Sequence, residues 1–120
     1  TYRKRITFAD YGTVVDIGRI PAGASVIGGG VHVITAFNSS GTDLLDVGFR
    51  GGSSTDDPDA YATDLTMAAV GYIPFDELGA TTNIQQTADA MLTCSPAQGA
   101  ADATAGVADV IITFVVDNDQ

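Results

Sequence analysis

Val110-Ile111-Ile112-Thr113-Phe114-Val115-Val116 is a seven-residue run without a charge, a glycine or a proline. Apolar and β-branched on both parities, it reads as a central strand buried on both faces, within a longer strand over residues 107–117. The rest of the chain has a matching composition. Of 120 residues, 20 are Val or Ile against 5 Leu, and 14 each are Thr, Gly and Asp, against one Glu and one Lys. β-Branched side chains are stiff at χ1 and fit a pleated sheet, whereas Asp and Gly favour turns over helix interiors. The expected fold class is all-β.

Working outward, short apolar runs alternate with turn chemistry. Residues 5–9 alternate and end at Asp10-Tyr11-Gly12. Residues 14–20 stop at Pro21-Ala22-Gly23, where proline fixes φ and glycine tolerates a positive φ. The run 25–37 is interrupted by Gly28-Gly29-Gly30, which suggests a bulge or bend, with Val31, Val33 and Thr35 on one face. Asn38-Ser39-Ser40-Gly41 reads as a turn before a strand at 44–49. A polar loop fills 50–59. Residues 60–69 could form one or two helical turns with Asp59 as N-cap. Further strands are expected at 70–75, 81–87 and 90–95, and 95–106 is an Ala/Gly/Gln connection. About eight strands best hide their faces in a two-sheet antiparallel β-sandwich or jelly roll with at most one short helix. Residues 1–9 are set apart as an N-terminal basic arm or edge strand, and residues 10–120 as one β-sandwich domain. At 12.3 kDa, one domain is the natural size.

The net charge of −10 is unevenly spread. Arg3, Lys4 and Arg5 are three of the five basic residues, so only Arg19 and Arg50 stand against fifteen carboxylates afterwards. So acidic a body repels phosphate backbones and anionic membrane surfaces, and neither nucleic acid nor membrane is expected as a partner. The charge favours solubility at high local concentration. No apolar stretch approaches the roughly 20 residues of a membrane span, and no secretory signal pattern is visible.

Chemistry finds little to work with. His32 is the only histidine and sits in Val31-His32-Val33-Ile34, where its side chain points away from the apolar parity toward solvent or an interface. No nucleophile elbow, phosphate loop or His-x-x-x-His pair accompanies it. Cys94 is the single cysteine, has no basic neighbour in sequence, and reads as a buried structural thiol. Asp56, Asp57 and Asp59 read either as a solvated acidic loop or as a calcium site. Pro58 and the missing glycine and distal glutamate rule out an EF-hand loop. Asp117-Asn118-Asp119 reads as a frayed end. Without Trp, a sugar platform is poorly supplied. The expectation is therefore no catalytic residue, no metal and no cofactor. The segment Thr1-Tyr2-Arg3-Lys4-Arg5 is the most suggestive feature, because a basic segment ahead of an acidic body can reach an acidic surface on a partner or neighbouring subunit. Tyr2, Arg3, Lys4, Arg5 and Phe8, with Arg50 and Tyr61 around the polar loop, are the candidate interface residues.

Several segments together resemble small tailed-phage virion proteins. They are Ile20-Pro21-Ala22-Gly23-Ala24, Val33-Ile34-Thr35-Ala36-Phe37-Asn38 leading to Leu45-Asp46-Val47-Gly48, then Asp59-Ala60-Tyr61-Ala62, and Ala103-Thr104-Ala105-Gly106 before the last strand. The similarity spans most of the chain from residue 14 onward. The group is that of capsid decoration, or cement, proteins and head-fibre bases, with β-sandwich folds. The resemblance implies a non-enzymatic subunit on the outer surface of the virion capsid. Such a subunit is made in the bacterial host cytoplasm, bound to the major capsid protein and often homotrimeric. It carries over no catalytic residues. The alternative is a tail or fibre adhesion module that binds a host glycan or protein.

Overall fold

The computed structural model describes residues 1–51, 55–79, 86–99 and 102–116. Eight strands form two antiparallel four-stranded sheets packed as a β-sandwich. They are β1 Tyr2–Thr7, β2 Val15–Ile20, β3 Ser25–Thr35, β4 Asp43–Gly51, β5 Asp57–Thr66, β6 Gly71–Pro74, β7 Ala90–Gln98 and β8 Val107–Val115. One sheet has the order β1-β8-β3-β6 and the other β2-β7-β4-β5. The ladders β1–β8, β2–β7, β3–β6 and β4–β5 are those of one long antiparallel ribbon whose two arms run outward from the β4–β5 connection. Rolling that ribbon adds the β3–β8 and β4–β7 ladders and gives the jelly roll.

The core lies between the sheets. Val31, Val33, Val110 and Ile112 from one sheet face Leu45, Val47, Phe49 and Leu92 from the other, all essentially inaccessible to water. The alternation of buried and exposed positions along β3 and β4 is the period-2 pattern of strands covered on one side. Strand β8 lies centrally between β1 and β3, as its apolar run predicts. Both parities of that run are not equally buried, however: Val110 and Ile112 are sealed while Ile111 and Thr113 are half-buried on the outer face. Gly29 adopts φ +138°, and a Cβ there would lie 2.2 Å from the Ile111 carbonyl oxygen. The glycine run thus lets β3 hug β8 beside a bulge between Val26 and Gly28.

Two expectations change, and a third lies mostly outside the described residues. Residues 60–69 hold no helix; Asp57–Thr66 is strand β5. Its ladder places Val47 opposite Ala62 and Phe49 opposite Asp57, so five steps along β5 match two along β4, and the resulting bulges erase the alternation that marks a strand. The polar loop is consequently shorter than expected, since β4 runs through Gly51 and β5 starts at Asp57. Of the strand expected at 81–87, residues 81–85 lie outside the described residues, and Gln86 and Thr87 are not in a strand. Among the described residues a single 3-10 turn, Phe8–Asp10, interrupts the strands, capped reciprocally by the side chains of Thr7 and Asp10.

The end of the sandwich that carries the β1–β2, β3–β4 and β7–β8 connections is heavily cross-linked. Buried Asp43 accepts from the Tyr11 hydroxyl (2.5 Å) and the Ser39 amide (3.2 Å). Asn38 Oδ1 accepts from the amides of Thr104 and Ala105. The Phe8 amide donates to the Gly106 carbonyl.

Candidate functional site

The basic N-terminal segment is drawn into the sheet. Tyr2–Thr7 pairs antiparallel with Val107–Ile112 of β8 as an edge strand, and Ile6 is fully buried. Alternation sends Arg3 and Arg5 to the outer face, where both reach Asp109. Arg3 Nε and Nη2 donate to Asp109 Oδ2 at 2.8 and 2.5 Å, while Arg5 Nε and Nη2 donate to Oδ1 and Oδ2 at 2.9 and 3.2 Å. Asp109 is only 1% exposed although it lies on an outer sheet face. The hydrogen bonds from Arg5 and then Arg3 outweigh its burial and hold its carboxyl at about 2. Asp109 in turn raises the Arg5 pKa. The two guanidinium side chains remain 65% and 58% exposed, so each keeps donors for a further partner.

Tyr2 has a different task. Its hydroxyl donates to the Arg19 carbonyl at 2.5 Å, and its ring packs on Phe114 at 5.4 Å between centroids. A Cβ at Gly18 would sit 2.5 Å from that ring. Tyr2 therefore staples β1 to β2 where the two sheets meet, and only part of its surface is open. Lys4 is exposed beside it, close enough to lower the Asp16 pKa slightly, and Phe8 is 39% exposed on the 3-10 turn.

The outer face of β1-β8-β3-β6 is organised in rows across the strands. One row runs Arg5, Asp109, His32, Tyr72; the next runs Arg3, Ile111, Gly30, Pro74. Gly30 leaves the Tyr72 ring room to lie over β3: a Cβ there would be 2.6 Å from the Tyr72 hydroxyl oxygen. Ile27 and Ile34 occupy the two bulges of the β3–β8 ladder. Bulges re-aim side chains, and here they coincide with two exposed isoleucines. With Tyr72 and Val115, every exposed large apolar side chain that lies within a strand belongs to this sheet. Neither bulged isoleucine nor Tyr72 was singled out by the sequence pattern. Alternation alone assigns faces but does not reveal an inserted residue.

The remaining expected interface residues lie on the other sheet. Arg50 pairs with Asp16, its Nη2 donating to Asp16 Oδ2 at 2.8 Å and lowering the Asp16 pKa. Tyr61 is not on a surface. Its side chain is fully buried against Phe49, 6.1 Å between ring centroids, and burial raises its hydroxyl pKa to about 12. A tyrosine just beyond a polar loop reads as exposed, but the bulged course of β5 turns this one inward. Strands β4 and β5 carry Asp46, Asp57, Asp59 and Asp64. Burial and the charges of Asp64 and Asp59 raise the Asp46 pKa, although the Asp64 amide donates to Asp46 Oδ1 at 2.8 Å. Burial and neighbouring Asp59 likewise raise Asp57. No Arg or Lys forms an ion pair with these four among the described residues. Nor do three or more His, Cys, Asp or Glu side chains converge there as a metal site among the described residues.

Cys94 is buried on β7, where burial pushes the thiol up to about 12, so it is held as an unreactive thiol. His32 is exposed on the opposite sheet. The chain's one thiol and one imidazole therefore cannot act together. Asp117-Asn118-Asp119 lies outside the described residues.

No protein-family model and no curated protein matches the sequence. In fold, the chain is similar to a chain in the solved structure of the capsid of Ralstonia phage GP4. The two align with a TM-score of 0.55 and 20% identity, over 97% of this chain and 84% of that one.

Proposed function

We propose that this chain is a non-enzymatic structural protein of a phage virion. In this reading it is a decoration (cement) protein on the outer surface of the head, bound to the major capsid protein and to copies of itself in a homotrimer. The observation that carries the reading is the fold likeness to a chain of the Ralstonia phage GP4 capsid, which extends over 97% of this chain. Two physical features support it. The cross-linked loop end and the Tyr2 staple make a rigid body suited to many weak, cooperating contacts. One outer sheet face presents apolar side chains flanked by arginines, the composition of a protein contact rather than of a reaction site.

The test is co-sedimentation of the folded protein with heads assembled from the major capsid protein alone, followed by imaging of the pelleted particles. Saturable binding with symmetric added density on the shell is the expected result. A folded protein that stays in the supernatant and binds host cells or glycans instead would replace this reading with the tail or fibre adhesion module.

A further inference from the structure

The charges of the two sheets are opposite. On the outer face of β1-β8-β3-β6 two cations, Arg3 and Arg5, stand against the single carboxylate of Asp109, while Lys4 shares the opposite parity with Tyr2 and Ile6. Strands β2, β7, β4 and β5 carry six aspartates against Arg19 and Arg50. The cationic outer face is also the one with exposed Ile27, Ile34, Tyr72 and Val115. On the opposite sheet the Asp64 amide donates to Asp46 Oδ1 at 2.8 Å, and neither of these aspartates nor Asp59 is paired with a cation of its own chain among the described residues.

We infer that the outer face of β1-β8-β3-β6 docks onto the aspartate-bearing β4–β5 surface of a second copy of this chain. Arg3 and Arg5 face Asp46, Asp59 and Asp64, and Ile27, Ile34 and Tyr72 are covered. Charge complementarity selects the occupant. A copy placed face to face would set arginine against arginine, whereas the cationic face meets its complement on the opposite side of an identical molecule. The guanidinium groups are already oriented by Asp109, so less side-chain freedom is lost on docking. The contact is heterologous, joining different surfaces of the two copies. Such contacts close into a ring when the rotation allows and otherwise grow into a filament. The inference rests on the proposed function only for the closed, three-copy outcome; the pairing of surfaces follows from this chain's own charges.

The measurement is the mass of the intact protein by light scattering and sedimentation, without capsids, over a range of concentration and salt. The wild type is expected to self-associate, with a mass that rises with concentration and falls at high salt. Two double variants separate the surfaces. Ile27→Glu/Ile34→Glu alters the apolar face at exposed positions, and Asp46→Lys/Asp64→Lys reverses the acidic one. Circular dichroism and thermal melting of each variant establish that it folds. Each alone should be monomeric, and an equimolar mixture should form a dimer and nothing larger, since one intact surface remains on each partner. Should Asp46→Lys/Asp64→Lys fail to fold because Asp46 caps the Asp64 amide, Asp59→Lys takes its place.

A monomeric wild type at every concentration overturns the inference. So does an oligomer that survives both variants, or a mixture that does not dimerise. A monomer that still pellets with capsids, and loses binding on Ile27→Glu/Ile34→Glu, assigns the face to the capsid and overturns the second-copy occupant alone. A ring that forms normally yet never binds capsids overturns the virion reading instead.

Discussion

The two outer faces of the sandwich come from strands of similar length and the same antiparallel geometry, yet they are built for different surroundings. On β2-β7-β4-β5 the outward positions hold Asp16, Arg19, Asp46, Arg50 and Asp64, and no large apolar side chain stands exposed within a strand. On β1-β8-β3-β6 the outward carboxylate, Asp109, is sealed under two arginines, and isoleucines, a tyrosine and a valine stand in water. Scattered apolar residues on a surface need no explanation. Their confinement to one sheet does, because the hydrophobic effect penalises each of them equally wherever it is exposed. The lesson is that a sandwich can hide one core and still gather its exposed in-strand apolar side chains on one outer face.

Inward and outward apolar positions give the largest expected contrast. Ile112→Ala, at a fully buried position, should lower the unfolding free energy by about 3 kcal/mol. Ile27→Ala, more than half exposed, should change it by no more than about 0.5 kcal/mol. Paired denaturant titrations check both. A large loss at Ile27 would show that the bulged side chain belongs to the core after all.

Asp109 lies between these extremes. Asp109→Asn keeps the shape but removes the charge that orients Arg3 and Arg5, and should cost about 1–2 kcal/mol at neutral pH, since the arginines can rehydrate. The folded-state pKa is depressed from 3.8 to about 2, so the native protein binds fewer protons than the unfolded chain in this range. Its contribution is thus full above pH 3.8 and is lost as pH falls toward about 2. Melting curves of wild type and Asp109→Asn should converge across that window. Parallel curves down to pH 2 would sink the assignment.

The smallest effect belongs to the charged face. Arg50→Ala breaks only the exposed pair with Asp16 and should leave the melting temperature unchanged within error, with any difference vanishing in high salt. A clear drop in Tm would mean that this face, too, carries structural weight.

Much of the fold is legible in the residues because strand chemistry is local. Apolar runs bounded by Pro-Ala-Gly or Asn-Ser-Ser-Gly mark β2, β3 and β4 without knowledge of their partners. Strand β5 escapes because Asp-Pro-Asp-Ala-Tyr-Ala-Thr-Asp contains no β-branched pair and its bulges break the period, leaving alanines that read as helical. The candidate surface is legible in the sequence only as charge. Arg3 and Arg5 announce a basic segment, but the Asp109 that engages them lies more than a hundred residues away. Nothing short-range distinguishes it from thirteen other aspartates. Tyr61 shows the converse: its place in the core follows from tertiary packing against Phe49, which sequence spacing does not encode.

The central position of β8 has a consequence for how the molecule is made. The sheet β1-β8-β3-β6 has a gap between its first and third strands until residues 107–115 are in place, so β1 has no neighbour in that sheet before then. Formation of this sheet is therefore governed by the slow search for long-range pairing. Until that pairing is made, Ile6 and Val31 lack the cover they have in the folded sheet, and a net charge of −10 favours separation of chains in that state.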